Sequence, residues 1–242
     1  MNGLKMSPSS GGPVAAGLID DLVAAYHVLA QEGVLDSFGH VSIRHPNHAE
    51  RYLISRSTAP ATVTADDIME FDLDSNPVDA RGRSMYLERY IHGEVYKARP
   101  DVMAVVHSHS PGVIPFSVTQ VPLRAIFHNG SFLGDGVPVF EIRKAVGERN
   151  NMLVDGPVSG KALAECLGHC PVALMRGHGD VVVGPNLEVT VFRAIYTEVN
   201  ARLQIQAAIL GGPITFLNQY EAAKPQVTDR PWAFWKSKLR RR

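Results

Sequence analysis

The sequence predicts one α/β domain in which helices cover a central, mixed or antiparallel sheet. Two observations predict this class: stretches with apolar residues at helical spacing alternate along the chain with short β-branched or alternating runs. The 242 residues could form one large domain or two small ones, but no linker or internal repeat divides them. A single core built from both kinds of element is therefore expected.

The first half of the chain supplies helices and strands in turn. Apolar residues from Leu18 to Leu29 recur at helical spacing, and Gly33 should end this helix. Thr64 followed by Asp67 is typical of the start of a short helix with an acidic first turn. The other predicted elements of this half are strands at 41–44 and 51–54, a helix at 85–99 closed by Pro100, and a buried strand at 102–107.

The second half continues the alternation of strands and helices. Its predicted elements are strands at 121–127, 137–142, 172–175 and 180–183 and helices at 160–167 and 189–210. The last helix is long and amphipathic, and Gly211-Gly212-Pro213 should end it.

The charge balance argues against several classes of partner. Lys and Arg together number 24, as do Asp and Glu, so no basic field attracts nucleic acid or anionic lipid. No apolar run approaches the ~20 residues that span a bilayer, and the N-terminus has no signal-peptide pattern, which favours the cytoplasm. Cys166 and Cys170 are the only cysteines, so no disulfide framework is expected.

A His-Ser-His motif at the end of the predicted strand 102–107 supplies the first candidate functional residues. His107 and His109 are two positions apart, so on a strand both imidazoles point to the same face. Imidazole nitrogens bind Zn²⁺ and similar ions, and three protein ligands with an open position are typical of a catalytic site. The pair alone is weak evidence for a metal site, because histidines also lie near each other on solvated surfaces.

His178 is the candidate for a third ligand. It lies between Gly177 and Gly179, and glycines allow a sharp turn and the close approach of a metal or substrate. A lone histidine at such a place is more often an ordinary turn residue. Beside His107 and His109, the metal interpretation is preferred.

Glu88 is the candidate acid/base group. It lies on the predicted helix just before the histidine strand, so its side chain can overlook the strand's end. For an unspecified glutamate, a solvated carboxylate beside Arg89 is the alternative. His92, one turn later, could share the face of Glu88, either as its partner or as packing, and packing is favoured.

Together these residues resemble the signature of the class II aldolase and adducin family, which includes fuculose-phosphate aldolase and ribulose-phosphate epimerase. The resemblance rests on Glu88, His107-Ser108-His109 and Gly177-His178-Gly179, and it extends from about Leu18 to the end of the long helix. It implies a three-layer α/β/α fold with a central, mostly antiparallel sheet, assembled as a tetramer with active sites at subunit interfaces. It also implies one divalent metal ion per subunit, held by the three histidines, with Glu88 as acid/base.

The segments expected to hold the substrate depart from the sugar-phosphate members. Those members carry small hydroxyl and amide residues that cradle a phosphate, whereas this chain has Gly39-His40, Arg56 and Tyr86-Leu87. Bulk and a guanidinium favour a flat substrate that bears a carboxylate, although Arg56 could equally be a surface arginine at a turn. The predicted substrate-binding residues are Arg56, Ser57, His40, Ser42 and Tyr86.

A flat carboxylate substrate resembles that of the family's decarboxylase branch, which acts on hydroxylated aromatic or pyridine dicarboxylates. The expectation is therefore a metal-dependent carbon–carbon lyase, a decarboxylase of a hydroxylated aromatic or heteroaromatic (di)carboxylate in a catabolic pathway, with Zn²⁺ or Mn²⁺ as its ion. Glu88, or a water that it orients, would deliver the proton. The alternatives are a class II aldolase, epimerase or dehydratase of a sugar phosphate, and a non-catalytic, adducin-like assembly module.

Two terminal segments flank the predicted catalytic domain at 14–220. Residues 1–13, rich in Ser, Gly and Pro, are predicted to be a flexible leader. Residues 221–242 combine an aromatic cluster at 231–235 with a basic end. In a neutral protein, this tail is expected to dock on the domain or on a neighbouring subunit rather than on nucleic acid or a membrane.

Overall fold

The computed structural model describes residues 7–223 and 225–239, and its described strands form one sheet. The strands are β1 (His40–Arg44), β2 (Arg51–Ser55), β3 (Ile68–Asp72), β4 (Ala104–Ser108), β5 (Val139–Phe140), β6 (Val172–Met175) and β7 (Gly179–Gly184). Their order in the sheet is β3-β2-β1-β4-β7-β6-β5. Neighbouring strands are antiparallel except for β5 and β6, which are parallel.

Helices cover both faces of the sheet. They are α1 (Ala16–Gln31), α2 (Tyr90–Ala98), α3 (Ile114–Ser117), α4 (Arg143–Val146), α5 (Pro157–Leu167), α6 (Leu187–Ile209), α7 (Gln219–Ala222) and α8 (Asp229–Leu239). One buried cluster joins α1, α6 and α8 to side chains such as Val106, and a second joins α2 and α5 to side chains such as Val105. Successive strand residues thus enter opposite cores. The predicted three-layer fold with a mostly antiparallel sheet is confirmed.

The element boundaries differ from prediction at several places. The structure has strand β3, which was not predicted, directly after a short 3-10 turn at Ala65–Asp67. The strand predicted at 137–142 is only the two residues of β5. Met85 and Tyr86 precede the helix predicted from residue 85, because a 3-10 turn at Leu87–Arg89 comes before α2. Glu88 lies in that turn with φ −85° and ψ 17°.

The strand predicted at 121–127 is wrong. This segment is irregular, and side chains of α6 bind its backbone in place of a neighbouring strand. The backbone N–H of Ile126 donates to Asn200 Oδ1 at 3.1 Å, and that of Arg124 donates to Gln204 Oε1 at 3.0 Å. Asn200 and Gln204 also donate to backbone carbonyls of the same segment.

Both predicted terminal segments contact the rest of the chain where they are described. The backbone N–H of Gly11 donates to Glu70 Oε1 at 2.5 Å. At the other end, Trp232 and Trp235 of α8 are buried in the core beside α1 and α6. Residues 1–6 of the predicted leader and the final basic residues 240–242 lie outside the described residues. Within the described part, no helix has the length and apolar character that crossing a bilayer requires.

Candidate active site

Four side chains meet at one end of the central strands of the sheet, where β4 ends and β7 begins. They are Glu88, His107, His109 and His178, and one nitrogen or oxygen atom of each lies within 4.8 Å of those of the other three. Nε2 of His109 lies 3.0 Å from Nε2 of His178. The structure thus brings together all four residues predicted as metal ligands or as acid/base.

The sheet register places the histidines. His107 lies opposite His40 of β1 and Val181 of β7, and Ser108 lies opposite Asp180. The turn that carries His178 has Gly177 at φ +63°, in the left-handed region that favours glycine. A Cβ on Gly179 would lie 1.9 Å from the carbonyl oxygen of Ser108, so only glycine lets this turn approach β4 so closely.

Backbone carbonyl groups orient two of the three imidazoles. Nδ1 of His107 lies 3.0 Å from the carbonyl oxygen of Asp180, and Nδ1 of His178 lies 3.0 Å from that of Met152. A nitrogen that donates to a carbonyl carries the hydrogen, so Nε2 of each neutral ring keeps a free lone pair directed at the cluster.

The cluster fits a divalent cation. Nε2 of His107 is buried and has no hydrogen-bond partner among the described residues. An unpartnered buried polar atom is costly, and here it lies beside two further imidazoles and a carboxylate. Three imidazole nitrogens and an oxygen are a donor set that Zn²⁺ and Mn²⁺ both accept.

Glu88 has one oxygen anchored and one directed at the histidines. Oε1 accepts a hydrogen bond from the backbone N–H of Val154 at 2.9 Å. Oε2 lies 3.4 Å from Nε2 of His107 and 3.5 Å from Nε2 of His178. Burial raises the pKa of Glu88, whereas His107 and His178 in their protonated form lower it by more and hold it below its usual range; a cation bound by the neutral rings would replace those protons and act in the same direction. The carboxylate is therefore ionised at neutral pH.

A buried acid network supports the histidine segment from behind. Ser108 Oγ donates to Asp180 Oδ1 at 2.5 Å, and Ser110 Oγ donates to Glu198 Oε2 at 2.8 Å. Burial, opposed by the hydrogen bond from Ser108 and assisted by the nearby Glu198 carboxylate, raises the pKa of Asp180 to about 7. Sequence reasoning missed these residues, although Asp180 lies only two positions from His178.

A cavity of about 620 Å³ lies in front of the cluster. Glu88 and His109 form part of its wall. The remaining lining residues are apolar, aromatic or small: Ser37, Phe38, Gly39, His40, Ser57, Thr58, Ala59, Met85, Tyr86, Leu87 and Leu153. The lining contains no Lys or Arg, so the described residues place no cationic side chain in this cavity.

The predicted substrate-binding residues divide into two groups. His40, Ser57 and Tyr86 line the cavity. Arg56 and Ser42 are not brought to it. Nε of Arg56 lies 2.5 Å from Asp67 Oδ1 in an ion pair, and Ser42 is completely buried behind the cavity wall.

His40 and His92 form a buried pair beside the cluster. Nδ1 of His40 lies 2.6 Å from Nε2 of His92, and the ring centroids of His40 and His107 are 5.1 Å apart. Burial lowers the pKa of His92 to about 3, and burial together with His92 lowers the pKa of His40 well below its usual value. His92 is therefore part of a polar pair, and the expectation that it serves as packing is incomplete.

Fold and site together define a three-layer α/β protein with a candidate metal centre of three histidines, beside a glutamate, at the end of the central strands of its sheet. The family model described as Class II Aldolase and Adducin N-terminal domain matches residues 20–205. The chain belongs to this family, as its motifs predicted.

Named relatives and a solved structure agree with this assignment. The decarboxylase tropJ of Talaromyces stipitatus is 35% identical over 240 residues, covering 88% of this chain and 90% of that protein. The 3,4-dihydroxyphthalate decarboxylase of Arthrobacter keyseri is 31% identical over 226 residues, covering 86% of each. The L-fuculose 1-phosphate aldolase of Glaciozyma antarctica has a TM-score of 0.76 at 21% identity, over 95% of this chain and 94% of that one. This last likeness concerns the fold alone.

Proposed function

We propose that the protein is a divalent-metal-dependent decarboxylase of a hydroxylated aromatic or heteroaromatic (di)carboxylate, acting in a catabolic pathway. One observation carries the proposal. The cluster of Glu88 and three histidines faces a cavity walled by Phe38, Met85, Tyr86 and Leu87. The similarity to two proteins named decarboxylases, over most of the chain, supports it.

His107, His109 and His178 would hold one Zn²⁺ or Mn²⁺ ion per subunit. When bound, the ion supplies a Lewis acid that stabilises negative charge developing on a substrate oxygen. The chain's own part is to keep the Nε2 lone pairs of the rings available. The carbonyl groups of Asp180 and Met152 do so for His107 and His178.

Glu88 moves the proton in the proposed reaction. As an ionised carboxylate it accepts the proton of the substrate hydroxyl through Oε2, while Oε1 stays bonded to Val154 N–H. When the ring carbon loses its carboxylate as CO₂, the electron pair of the broken bond stays on that carbon. Glu88 returns the proton there, and the product oxygen takes a proton from solvent on release.

The cavity wall matches a flat ring better than a phosphosugar. Phe38, Tyr86 and Leu87 offer aromatic and aliphatic surface, and His40 and Ser57 offer donors to a second carboxylate. A phosphate dianion would find no Lys or Arg among the lining residues of the described chain. Arg56 does not take part in the proposal, because Asp67 already holds its guanidinium.

The first test compares substrate classes. Purified protein loaded with Zn²⁺ or Mn²⁺ is assayed for CO₂ release from 3,4-dihydroxyphthalate and other hydroxylated aromatic dicarboxylates, beside cleavage of ketose and aldose phosphates. CO₂ release that depends on added metal is expected. Cleavage of a phosphosugar without decarboxylation would reverse the proposal.

The second test removes a ligand. His109→Ala should lower the bound metal to well under one ion per subunit and abolish turnover, with the circular dichroism spectrum unchanged. His169→Gln is the matched control. This histidine is exposed in the turn between α5 and β6, and its substitution should keep both metal and turnover. A fully active His109→Ala enzyme with its metal retained would end the metal assignment.

A further inference from the structure

Four buried polar side chains form a hydrogen-bonded chain that begins at the cavity and runs inward. The hydroxyl oxygen of Tyr96 lies 2.8 Å from Ser42 Oγ, which lies 2.6 Å from Nδ1 of His92. Nε2 of His92 lies 2.6 Å from Nδ1 of His40. His40 lines the cavity, and all four side chains are at most 3% exposed.

The hydroxyl of Tyr96 fixes the direction in which these groups donate. Among the described residues its only hydrogen-bond partner is Ser42. A buried O–H without an acceptor is unfavourable, so Tyr96 donates to Ser42 Oγ. Ser42 has one hydroxyl hydrogen, and once Tyr96 donates to its oxygen, the only acceptor left for that hydrogen among the described residues is Nδ1 of His92, so Ser42 donates to this nitrogen.

The position of the hydrogen on each imidazole follows from this direction. A neutral histidine has one N–H group. His92 accepts at Nδ1, so its hydrogen is on Nε2 and is donated to Nδ1 of His40. His40 therefore carries its own hydrogen on Nε2, which makes no hydrogen bond with the described residues. This N–H is left for a ligand in the cavity.

We propose that Tyr96, Ser42 and His92 are positioning residues that hold His40 as a fixed hydrogen-bond donor to an oxygen acceptor of the substrate. The proposal rests on the proposed function, and it assigns the second carboxylate of an aromatic dicarboxylate as that acceptor. A substituent that only donates would meet another donor at this place. These four hydrogen-bonded side chains therefore favour a substrate with a carboxylate or carbonyl oxygen at this place over one with an ammonium group.

The surroundings of His40 restrict it to this role. The ring of Tyr86 lies 4.5 Å from that of His40, centroid to centroid, and its hydroxyl donates to the carbonyl of Thr58 at 2.9 Å. On the inner side, Tyr52 stacks on His92 at 6.1 Å but directs its hydroxyl to Ser75 Oγ instead. Tyr52 thus packs against His92 without taking part in its hydrogen bonds, which makes Tyr52 a matched control for Tyr96.

The first measurement is the tautomer of His40 and His92, from the ¹⁵N chemical shifts of the ring nitrogens at neutral pH. Signals are assigned with His40→Gln and His92→Gln, in zinc-loaded and in metal-free protein. The Nε2–H form is expected for both rings, and the Nδ1–H form of His40 would overturn the inference. The measurement requires neither turnover nor bound metal, so its result is independent of whether the protein is a decarboxylase.

The second measurement removes the hydroxyl at the inner end of the hydrogen-bonded chain. Tyr96→Phe removes only the terminal donor, so His40 is expected to become a mixture of tautomers, while Tyr52→Phe leaves it unchanged. Calorimetric affinity for phthalate should fall about tenfold in Tyr96→Phe, and affinity for benzoate, which lacks the second carboxylate, should fall less than twofold. Equal losses for both ligands, or a Tyr96→Phe enzyme with wild-type tautomers, would overturn the inference. If Tyr96→Phe fails to fold, the wild-type tautomer decides alone.

Discussion

At the scale of single residues, the two carboxylate oxygens of Glu88 have different surroundings. Oε1 accepts from a backbone N–H, which fixes the side chain, and Oε2 remains 3.4–3.5 Å from two imidazole nitrogens. The 3-10 turn at Leu87–Arg89 matters here, because Glu88 lies in it with φ and ψ that are not helical. A regular helix from residue 85 would carry this side chain differently.

The substitution Glu88→Gln separates proton transfer from positioning. The amide that it introduces would keep an oxygen that accepts from Val154 N–H, but an amide neither takes up nor returns a proton. Turnover is expected to fall about 10²-fold or more, while bound metal stays at the wild-type level. Steady-state kcat and metal analysis check this prediction.

Glu94→Gln is the control for that substitution. Glu94 lies in the helix that follows the turn of Glu88, and it pairs with Lys97 at 2.6 Å, away from the histidines. Its substitution should leave kcat within about twofold of wild type. A Glu88→Gln enzyme with undiminished kcat would assign the proton transfer to another group.

At the scale of elements, side chains of α6 make the hydrogen bonds to residues 122–126 that a neighbouring strand would otherwise make. Asn200 and Gln204 are one helical turn apart and buried, and their amides bind backbone groups of residues 122–126. The alternating pattern of 121–127 predicted a strand, but a strand needs a neighbour with free backbone groups. Here the neighbour is a helix, whose backbone is already hydrogen-bonded.

Removing Asn200 should destabilise this connection. Asn200→Ala leaves the N–H of Ile126 and the carbonyl of Arg124 without their partner, so the free energy of unfolding should fall by about 1–3 kcal/mol. Gln206→Ala, on the exposed side of the same helix, should change it by about 0.5 kcal/mol or less. Urea unfolding of both variants tests the difference, and equal values would contradict the role given to Asn200.

The sequence allowed the clustering of the candidate metal ligands to be predicted, because spacing constrains His107 and His109, and flanking glycines and the family resemblance pointed to His178. The two-residue spacing predicted that His107 and His109 share a face, and their rings do meet although β4 ends between them at Ser108. The cavity wall could not be predicted in the same way. Residues such as Phe38, Met85 and Leu153 come from loops whose paths depend on packing, and Asp67, which binds Arg56, is 11 residues away with no local signal.

Tyr96 and Ser42 are an intermediate case, in which the sequence contains part of the signal. Tyr96 is one turn after His92 on α2, and Ser42 is two residues after His40 on β1, so each shares a face with its partner. The helical and strand periods together contain the signal for the buried chain. The sequence alone did not reveal that α2 packs against β1, and that packing gives the signal its meaning.

At the scale of the whole molecule, the buried histidines connect stability to pH. The pKa of His92 is lowered to about 3, and that of His40 lies well below 6.5, because both are buried. In the unfolded chain these imidazoles are protonated as pH falls through about 6.5, whereas in the folded chain they stay neutral to much lower pH. Their contribution to the free energy of unfolding is therefore fully present above pH 6.5 and is lost as pH falls from 6.5 toward 3.

Each such group should reduce the free energy of unfolding by about 1.4 kcal/mol per pH unit below 6.5. Urea unfolding at pH 7, 6 and 5, on protein stripped of metal by a chelator, measures the slope. His92→Gln should flatten it, whereas His169→Gln, at an exposed position, should not. A slope that is the same in wild type and His92→Gln would show that His92 is protonated in the folded state.

Exposed apolar side chains surround the candidate metal centre and indicate what covers it. Phe38 is 64% exposed with its ring 6.1 Å from that of His109, and Leu87, next to Glu88, is 62% exposed. Val118, beside Gly177, is 56% exposed. Apolar surface around a site is typical of a buried interface, and the family resemblance implies a tetramer with its sites between subunits.

We therefore expect light scattering to give about four times the 26.4 kDa chain mass. Val118→Asp places a charge in this apolar rim but outside the cavity lining, so it should dissociate the assembly and abolish turnover. Val158→Asp is the matched control, because Val158 is 65% exposed on α5, away from the histidines. A monomeric wild-type protein with full activity would contradict the expectation, because the apolar rim would then remain in contact with water without loss of function.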